Sequence, residues 1–158
     1  MAIHLRPLTA EDGEAAAAIF FDAVHRGAAD VYSAAQRRAW AGAAPNLARW
    51  RRRFADVSGV AAEVNGEMAG FMTLDAAGHI DLAFVRSDLS GRGVGRAIYD
   101  RIEARARAEG IARLTTEASK KAKPFFARLG WQVDAEQTVV KDGIRLTNFR
   151  MSKPLVFE

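Results

Sequence analysis

The chain has 158 residues, of which 49% are hydrophobic and 27% charged, the length and balance of one globular domain (residues 1–158) with a buried core. It contains no cysteine, which excludes a disulfide scaffold, a thiol nucleophile and a cysteine zinc site together. The net charge is +4, and the three histidines (His4, His25, His79) are too scattered for metal-ligand spacing, so no metal is expected.

The N-terminal stretch MAIHLRPL is too short and polar for a signal peptide, and no apolar run approaches a membrane span; a cytoplasmic protein without membrane contact is expected. Alternation over residues 3–6 predicts a first strand. Thr9 and Asp12 then form a capping-box pattern that opens a helix with an apolar stripe of Ala16, Ile19, Phe20, Ala23 and Val24. Ser33 and Gln36 repeat the box for a short helix ending near Trp40, and Pro45-Asn46 break the chain before a third. Residues 37–53 carry six arginines (Arg37, Arg38, Arg49, Arg51, Arg52, Arg53) and no acid. Such a cluster suits nucleic acid or the phosphates of a cofactor. The alternative is a helix whose stripe of Leu47, Trp50 and Phe54 packs inward while the arginines face water. The segment lacks the aromatic spacing of a nucleic-acid stacking platform.

Two strand-like runs over residues 59–74 flank Asn65-Gly66, a strong hairpin signal, and a strand over 79–85 follows the turn at 75–78. A helix with the stripe Val94, Ile98 and Ile102 comes next, then a strand over 113–116. A helix around 125–129, capped by Gly130, leads into a hairpin (131–140 and 144–151) around Asp142-Gly143. The order predicts a mixed α/β fold with no repeat or linker.

Between the strand at 79–85 and its helix lies SDLSGRGVGR, with glycines at alternate positions 91, 93 and 95. A glycine-rich turn into a helix is a way to hold a pyrophosphate: the backbone can approach closely, several N–H groups converge, and the helix dipole favours the anion. A P-loop needs Lys-Ser or Lys-Thr after its last glycine, whereas Gly95 is followed by Arg96 and Ala97. The dinucleotide fingerprint places its third glycine three residues after the second, and here Gly95 comes two after Gly93. The run Ser90-Gly91-Arg92-Gly93-Val94-Gly95 instead resembles the acyl-CoA loop of the GNAT superfamily of N-acetyltransferases, Gln/Arg-x-x-Gly-x-Gly/Ala, with Ser90 where the family usually has Gln or Arg.

A second stretch strengthens the resemblance. Ser119, Ala122, Phe125, Phe126, Gly130 and Trp131 fall where that family commonly has Asn-x-x-Ala-x-x-Phe-Tyr-x-x-x-Gly-Phe. Ser119 replaces the Asn that bonds the pantetheine arm, a role open to a hydroxyl. Phe126 replaces the Tyr that in many members protonates the departing thiolate, which a phenyl ring cannot do. The element order is also that of the GNAT fold: a central, mostly antiparallel sheet splayed between its fourth and fifth strands (79–85 and 113–116) and flanked by helices.

The resemblance implies acetyl-CoA as cosubstrate, its pantetheine against Ala83, Phe84 and Val85 and its pyrophosphate against residues 90–96, with Arg92 and Arg96 as further candidates. It implies His79 or Asp81 as general base, Asp81 ahead for a more interior position; alternation puts His79, Asp81, Ala83 and Val85 on one face. Their alternatives are a strand-end residue and a backbone cap. Tyr32-Ser33-x-x-Gln36-x-x-x-Trp40 and Thr147-Asn148-Phe149 resemble segments of an uncharacterised bacterial branch of the family, which makes Tyr32 and Trp40 candidates for substrate contact. The expected function is acetyl transfer from acetyl-CoA to a primary amine, on a small molecule or peptide, directly within a ternary complex, since no cysteine can carry the acetyl group. An aminoacyl-tRNA acetyltransferase, suggested by the arginines, and a CoA-binding protein with little catalysis, suggested by Phe126, are the alternatives. A homodimer is left open.

Overall fold

A computed structural model of the protein describes residues 1–155. Among these residues, eight strands form two four-stranded sheets. The first has the order β1 (His4–Pro7), β2 (Gly59–Val64), β3 (Glu67–Thr73), β5 (Ala83–Val85); the second has β4 (His79–Ile80), β6 (Arg113–Ser119), β8 (Ile144–Pro154), β7 (Gln132–Lys141). Every pairing is antiparallel except β4 with β6, where His79 lies opposite Thr115 and Ile80 opposite Thr116. Both hairpins form where Asn65-Gly66 and Asp142-Gly143 supply consecutive positive φ angles, 54° and 79° in the first, 50° and 75° in the second.

The strand expected over 79–85 is broken. Its first part pairs with β6 and its last part with β3, so the two sheets part just beyond Ile80 and Thr116. The hydroxyl of Thr73 accepts from both Asp81 N–H (3.2 Å) and Leu82 N–H (3.0 Å), setting two residues against one as in a β-bulge. The bulge shifts the alternation by one. Ile80, Ala83 and Val85 pack into one core while Leu82 and Phe84 pack into the other, so His79 and Asp81 do not share a face with Ala83 and Val85. It also turns Asp81 outward, and the side chain is 59% exposed rather than interior.

The first sheet is covered on one face by α1 (Gly13–Asp22) and α3 (Leu47–Arg53), through Ala16, Ile19, Trp50, Phe54 and Phe71. On the other face lies α4 (Val94–Ala108), burying the expected stripe of Val94, Ile98 and Ile102. Within the expected stripe of α3, Trp50 and Phe54 are buried but Leu47 is exposed, because it sits in the first turn beyond the edge of the core. The helix α1 continues into a π-helical turn (Ala23–Gly27), and α2 (Ala34–Ala41) carries both bonds of the Ser33–Gln36 capping box. The short α5 (Lys123–Arg128) precedes Gly130, whose φ is 89°. A polar network ties α4 to the second sheet: Trp131 Nε1 donates to Tyr99 Oη (2.9 Å), which donates to Glu103 (2.7 Å), and Lys153 Nζ donates to the same carboxylate (2.7 Å).

Candidate active site

The glycine turn has the form the sequence suggested. Gly91 and Gly93 adopt left-handed φ angles of 76° and 88°, and a Cβ built on either would meet nothing within 4 Å, so open space lies in front of both. Gly93 is the N-cap of α4 without a side-chain cap, and the first helical bond runs from Ala97 N–H to Gly93 C=O. The N–H groups of Val94, Gly95 and Arg96 therefore have no backbone partner among the described residues, and they sit at the positive end of the helix dipole. This arrangement fits a pyrophosphate. Arg92 and Arg96 stand off the cavity walls; both are exposed, and Arg96 pairs with Asp100 of its own helix at 3.0 Å.

From the turn a cavity of about 170 Å³ runs along β5 between the parted sheets. In the antiparallel ladder with β3, Leu82 C=O accepts from Thr73 N–H and Arg86 N–H donates to Ala69 C=O. The paired residues of this strand are thus Leu82, Phe84 and Arg86, and the peptide groups of Ala83 and Val85 face the gap, able to bond an extended amide-containing arm as an added strand would. Ala83, Phe84, Val85, Ser90, Gly95, Ser119 and Phe126 all line this cavity, whereas Gly91 and Gly93 shape its end and Val94 turns into the core. Phe126 is 1% exposed, with its ring 4.8 Å from Trp131 and 5.3 Å from Phe125. Ser119 Oγ accepts from Ala122 N–H (3.1 Å) and has its own proton to give.

A second cavity, about 490 Å³, opens on the other side of Phe84. Trp40, Phe84 and Ser119 line both spaces, so the two meet there. Trp40 stands within 6.2 Å of the rings of Phe20, Tyr32 and Phe84, and Trp50 continues the aromatic wall. Tyr32 lies on the wall with its hydroxyl committed: it donates to Thr147 C=O (2.6 Å) and accepts from Lys120 N–H (2.9 Å), clasping β8 to the end of β6. Burial outweighs the Lys120 bond and raises its pKa, so the phenol stays neutral.

The polar groups of this cavity come from both sheets. His79 Nδ1 is 2.8 Å from Thr115 Oγ1, and Asp81 Oδ2 accepts from Arg53 at 2.7 Å. Glu117, which the sequence reading missed, lines the same wall from β6, one residue beyond the Ile80–Thr116 pair where Asp81 leaves the other side. Alternation could have found it, since Glu117 is two residues from Ser119 on the same face of one strand. His79, level with Thr115, is four residues short of Ser119, roughly 13 Å along the strand. The Oδ1 atom of Asn148, on the wall beside its register partner Ser119, is buried without a hydrogen-bond partner among the described residues.

Four of the six arginines take different places and partners. Arg37 donates to the carbonyls of Tyr32 and His25, Arg51 pairs with Glu14 at 2.8 Å, and Arg49 and Arg53 line the larger cavity. Among the described residues no helix is long and apolar enough to cross a membrane, and no group of His, Asp and Glu could hold a metal ion.

Residues 28–153 match the acetyltransferase (GNAT) domain family. Over 149 residues, 94% of each chain, the sequence is 34% identical to the uncharacterized N-acetyltransferase YafP of Escherichia coli K12. The crystal structure of a GCN5-related N-acetyltransferase from Rhodopseudomonas palustris superposes with a TM-score of 0.89 at 37% identity, covering 98% of this chain and 97% of that one. The PaiA N-acetyltransferase of Thermoplasma acidophilum, solved in complex with coenzyme A, has a TM-score of 0.76 at 16% identity over 98% and 99% of the two chains, a likeness of fold. The chain belongs to the GNAT superfamily and is an acyl-CoA-dependent acetyltransferase.

Proposed function

We propose that this protein, as a single domain of residues 1–158, moves the acetyl group of acetyl-CoA directly onto a primary amine seated in the larger cavity. The observation that carries the reading is the meeting of the two cavities at Trp40, Phe84 and Ser119. An arm lying along β5 ends where an amine on the aromatic wall begins, so attack needs no carrier residue. The unpaired N–H groups at the start of α4 hold the pyrophosphate, and the gap-facing peptides of Ala83 and Val85 hold the pantetheine.

The amine must lose a proton before or during attack. Asp81 takes it at Oδ1, through a water where the gap is wide, while Arg53 fixes the other oxygen. His79, one step further towards the closed end of the cleft, accepts protons from the cavity rather than from the reacting nitrogen. Ser119 gives the leaving thiolate a hydrogen bond in the place of the tyrosine that Phe126 replaces. Initial rates over a grid of acetyl-CoA and amine concentrations test direct transfer. Intersecting double-reciprocal lines are expected; parallel lines, or acetylated enzyme isolated in the absence of amine, would overturn it.

A further inference from the structure

We propose, resting on the reading of the larger cavity as the acceptor site, that the acceptor is an amine that also carries a carboxylate, an amino-acid-type molecule whose acid group is held by Arg49. Five side chains that bear charge at neutral pH line the cavity: Arg49, Arg53 and Lys141 against Asp81 and Glu117. They are not equivalent. Arg53 and Asp81 neutralise each other across 2.7 Å, and Glu117 accepts from the amide of Gln137 at 3.2 Å. The guanidinium of Arg49 and the ammonium of Lys141 have no acidic partner among the described residues. Arg49 is held only through its backbone, whose N–H bonds the Asn46 side chain at the helix start. The wall thus offers a planar cation with its donors unused, which suits a carboxylate in bidentate geometry.

The opposite end supplies the complement. Asn148 Oδ1 is a buried acceptor with no donor, and such an atom costs free energy until one arrives. It lies beside Ser119, at the junction of the two cavities, where the reacting nitrogen must sit. An N–H of the acceptor would satisfy it. Between the two ends the wall is apolar, formed by Trp40, Trp50, Val139 and Leu146, and would favour an acceptor with an apolar body. An amine without an acid group would leave Arg49 unpaired; a diamine would meet two unpaired cations.

Matched acceptors test this: α-amino acids, longer ω-amino acids and, for each, the carboxamide and the decarboxylated amine. Acetylation is followed by thiol release, and binding of the N-acetyl product to the CoA-loaded protein by calorimetry. At least one amino acid should exceed its amide by about 10-fold or more in kcat/KM, the worth of a hydrogen bond to a charged group. In Arg49→Gln that preference should collapse through KM, with the acids losing far more than the amines that lack an acid group. The N-acetyl acid should likewise outbind its amide in the wild type only. Turnover of amines without an acid group as fast as the amino acids, or an equal loss for both in Arg49→Gln, overturns the acid-bearing acceptor and leaves the transferase reading standing. Binding of acetyl-CoA with no turnover of any amine overturns both.

Discussion

The two halves of the cleft are built by different means. The half proposed for the donor is largely backbone: left-handed glycines at 91 and 93, the uncapped start of α4, and peptide groups of β5 released by the parting of the sheets. The half proposed for the acceptor is side chains from separate elements, with Trp40 from α2, Arg49 and Arg53 from α3, Glu117 from β6 and Asn148 from β8. Backbone geometry of this kind suits what every acyl-CoA has in common. Side chains can be exchanged one at a time without disturbing it, which is how one fold serves many amines.

The contrast is broken most severely at Gly93. Valine there must adopt a φ of 88° that a β-branched residue resists, at a cost of about 1–2 kcal/mol, and its methyls fill the space before the unpaired amides. The thermal shift given by acetyl-CoA, about 2.7 kcal/mol of stabilisation at 100 times Kd, should vanish while the apo protein still unfolds cooperatively. An unchanged shift would remove the turn from the binding site.

On the acceptor side, Asp81→Asn should lower kcat by about 10²- to 10⁴-fold and flatten the rise of rate with pH, with acetyl-CoA affinity unchanged. If Glu117→Gln or His79→Gln carries that signature and Asp81→Asn does not, the proton leaves by the other wall.

These two positions also show what the sequence made legible. Gly91, Gly93 and Gly95 announce a local conformation, and the hairpin pairs do the same, because φ preferences act within a few residues. The bulge at Asp81 and Leu82 is set by the hydroxyl of Thr73, on another strand, so alternation alone read one face where there are two. The ion pair of Asp81 with Arg53 spans 28 residues, and the clasp of Tyr32 on Thr147 spans 115; neither has a local signal. Tyr32 and Trp40 were legible as candidates through resemblance, and both line the larger cavity, but the orphaned oxygen of Asn148 appears only in the folded chain.

A smaller effect is expected where the halves meet. Ser119→Ala should cost about 10-fold in kcat, less than the 10²-fold lower end of general-acid effects, because a thiol of pKa near 8.5 leaves without full protonation. Phe126→Tyr should keep acetyl-CoA binding, raise kcat and add a fall in rate at alkaline pH as the phenol ionises. No gain and no alkaline limb would mean that protonation of the thiolate does not limit turnover.

The smallest effect concerns stability of the donor half. Burial alone would push the Glu103 carboxyl up, but hydrogen bonds from Lys153, Tyr99 and Arg107 together outweigh it and bring its pKa to about 2. Because the folded value lies below the unfolded one, near 4.3, this network stabilises fully above that pH and its contribution is lost as pH falls towards 2. Denaturant unfolding of Lys153→Met should give a deficit that is constant above about pH 5 and shrinks towards pH 2. A deficit unchanged at pH 2 would show that packing of the lysine stem, not its charge, is what was lost.

The meeting of the two cavities is tested most directly by a bisubstrate ligand, CoA joined through its acetyl carbon to the nitrogen of the best amine acceptor, with affinity measured by calorimetry. If donor and acceptor lie end to end at Trp40, Phe84 and Ser119, the joined ligand should bind at least about 100-fold more tightly than CoA, since its second half binds intramolecularly. Binding no tighter than CoA itself would contradict the account.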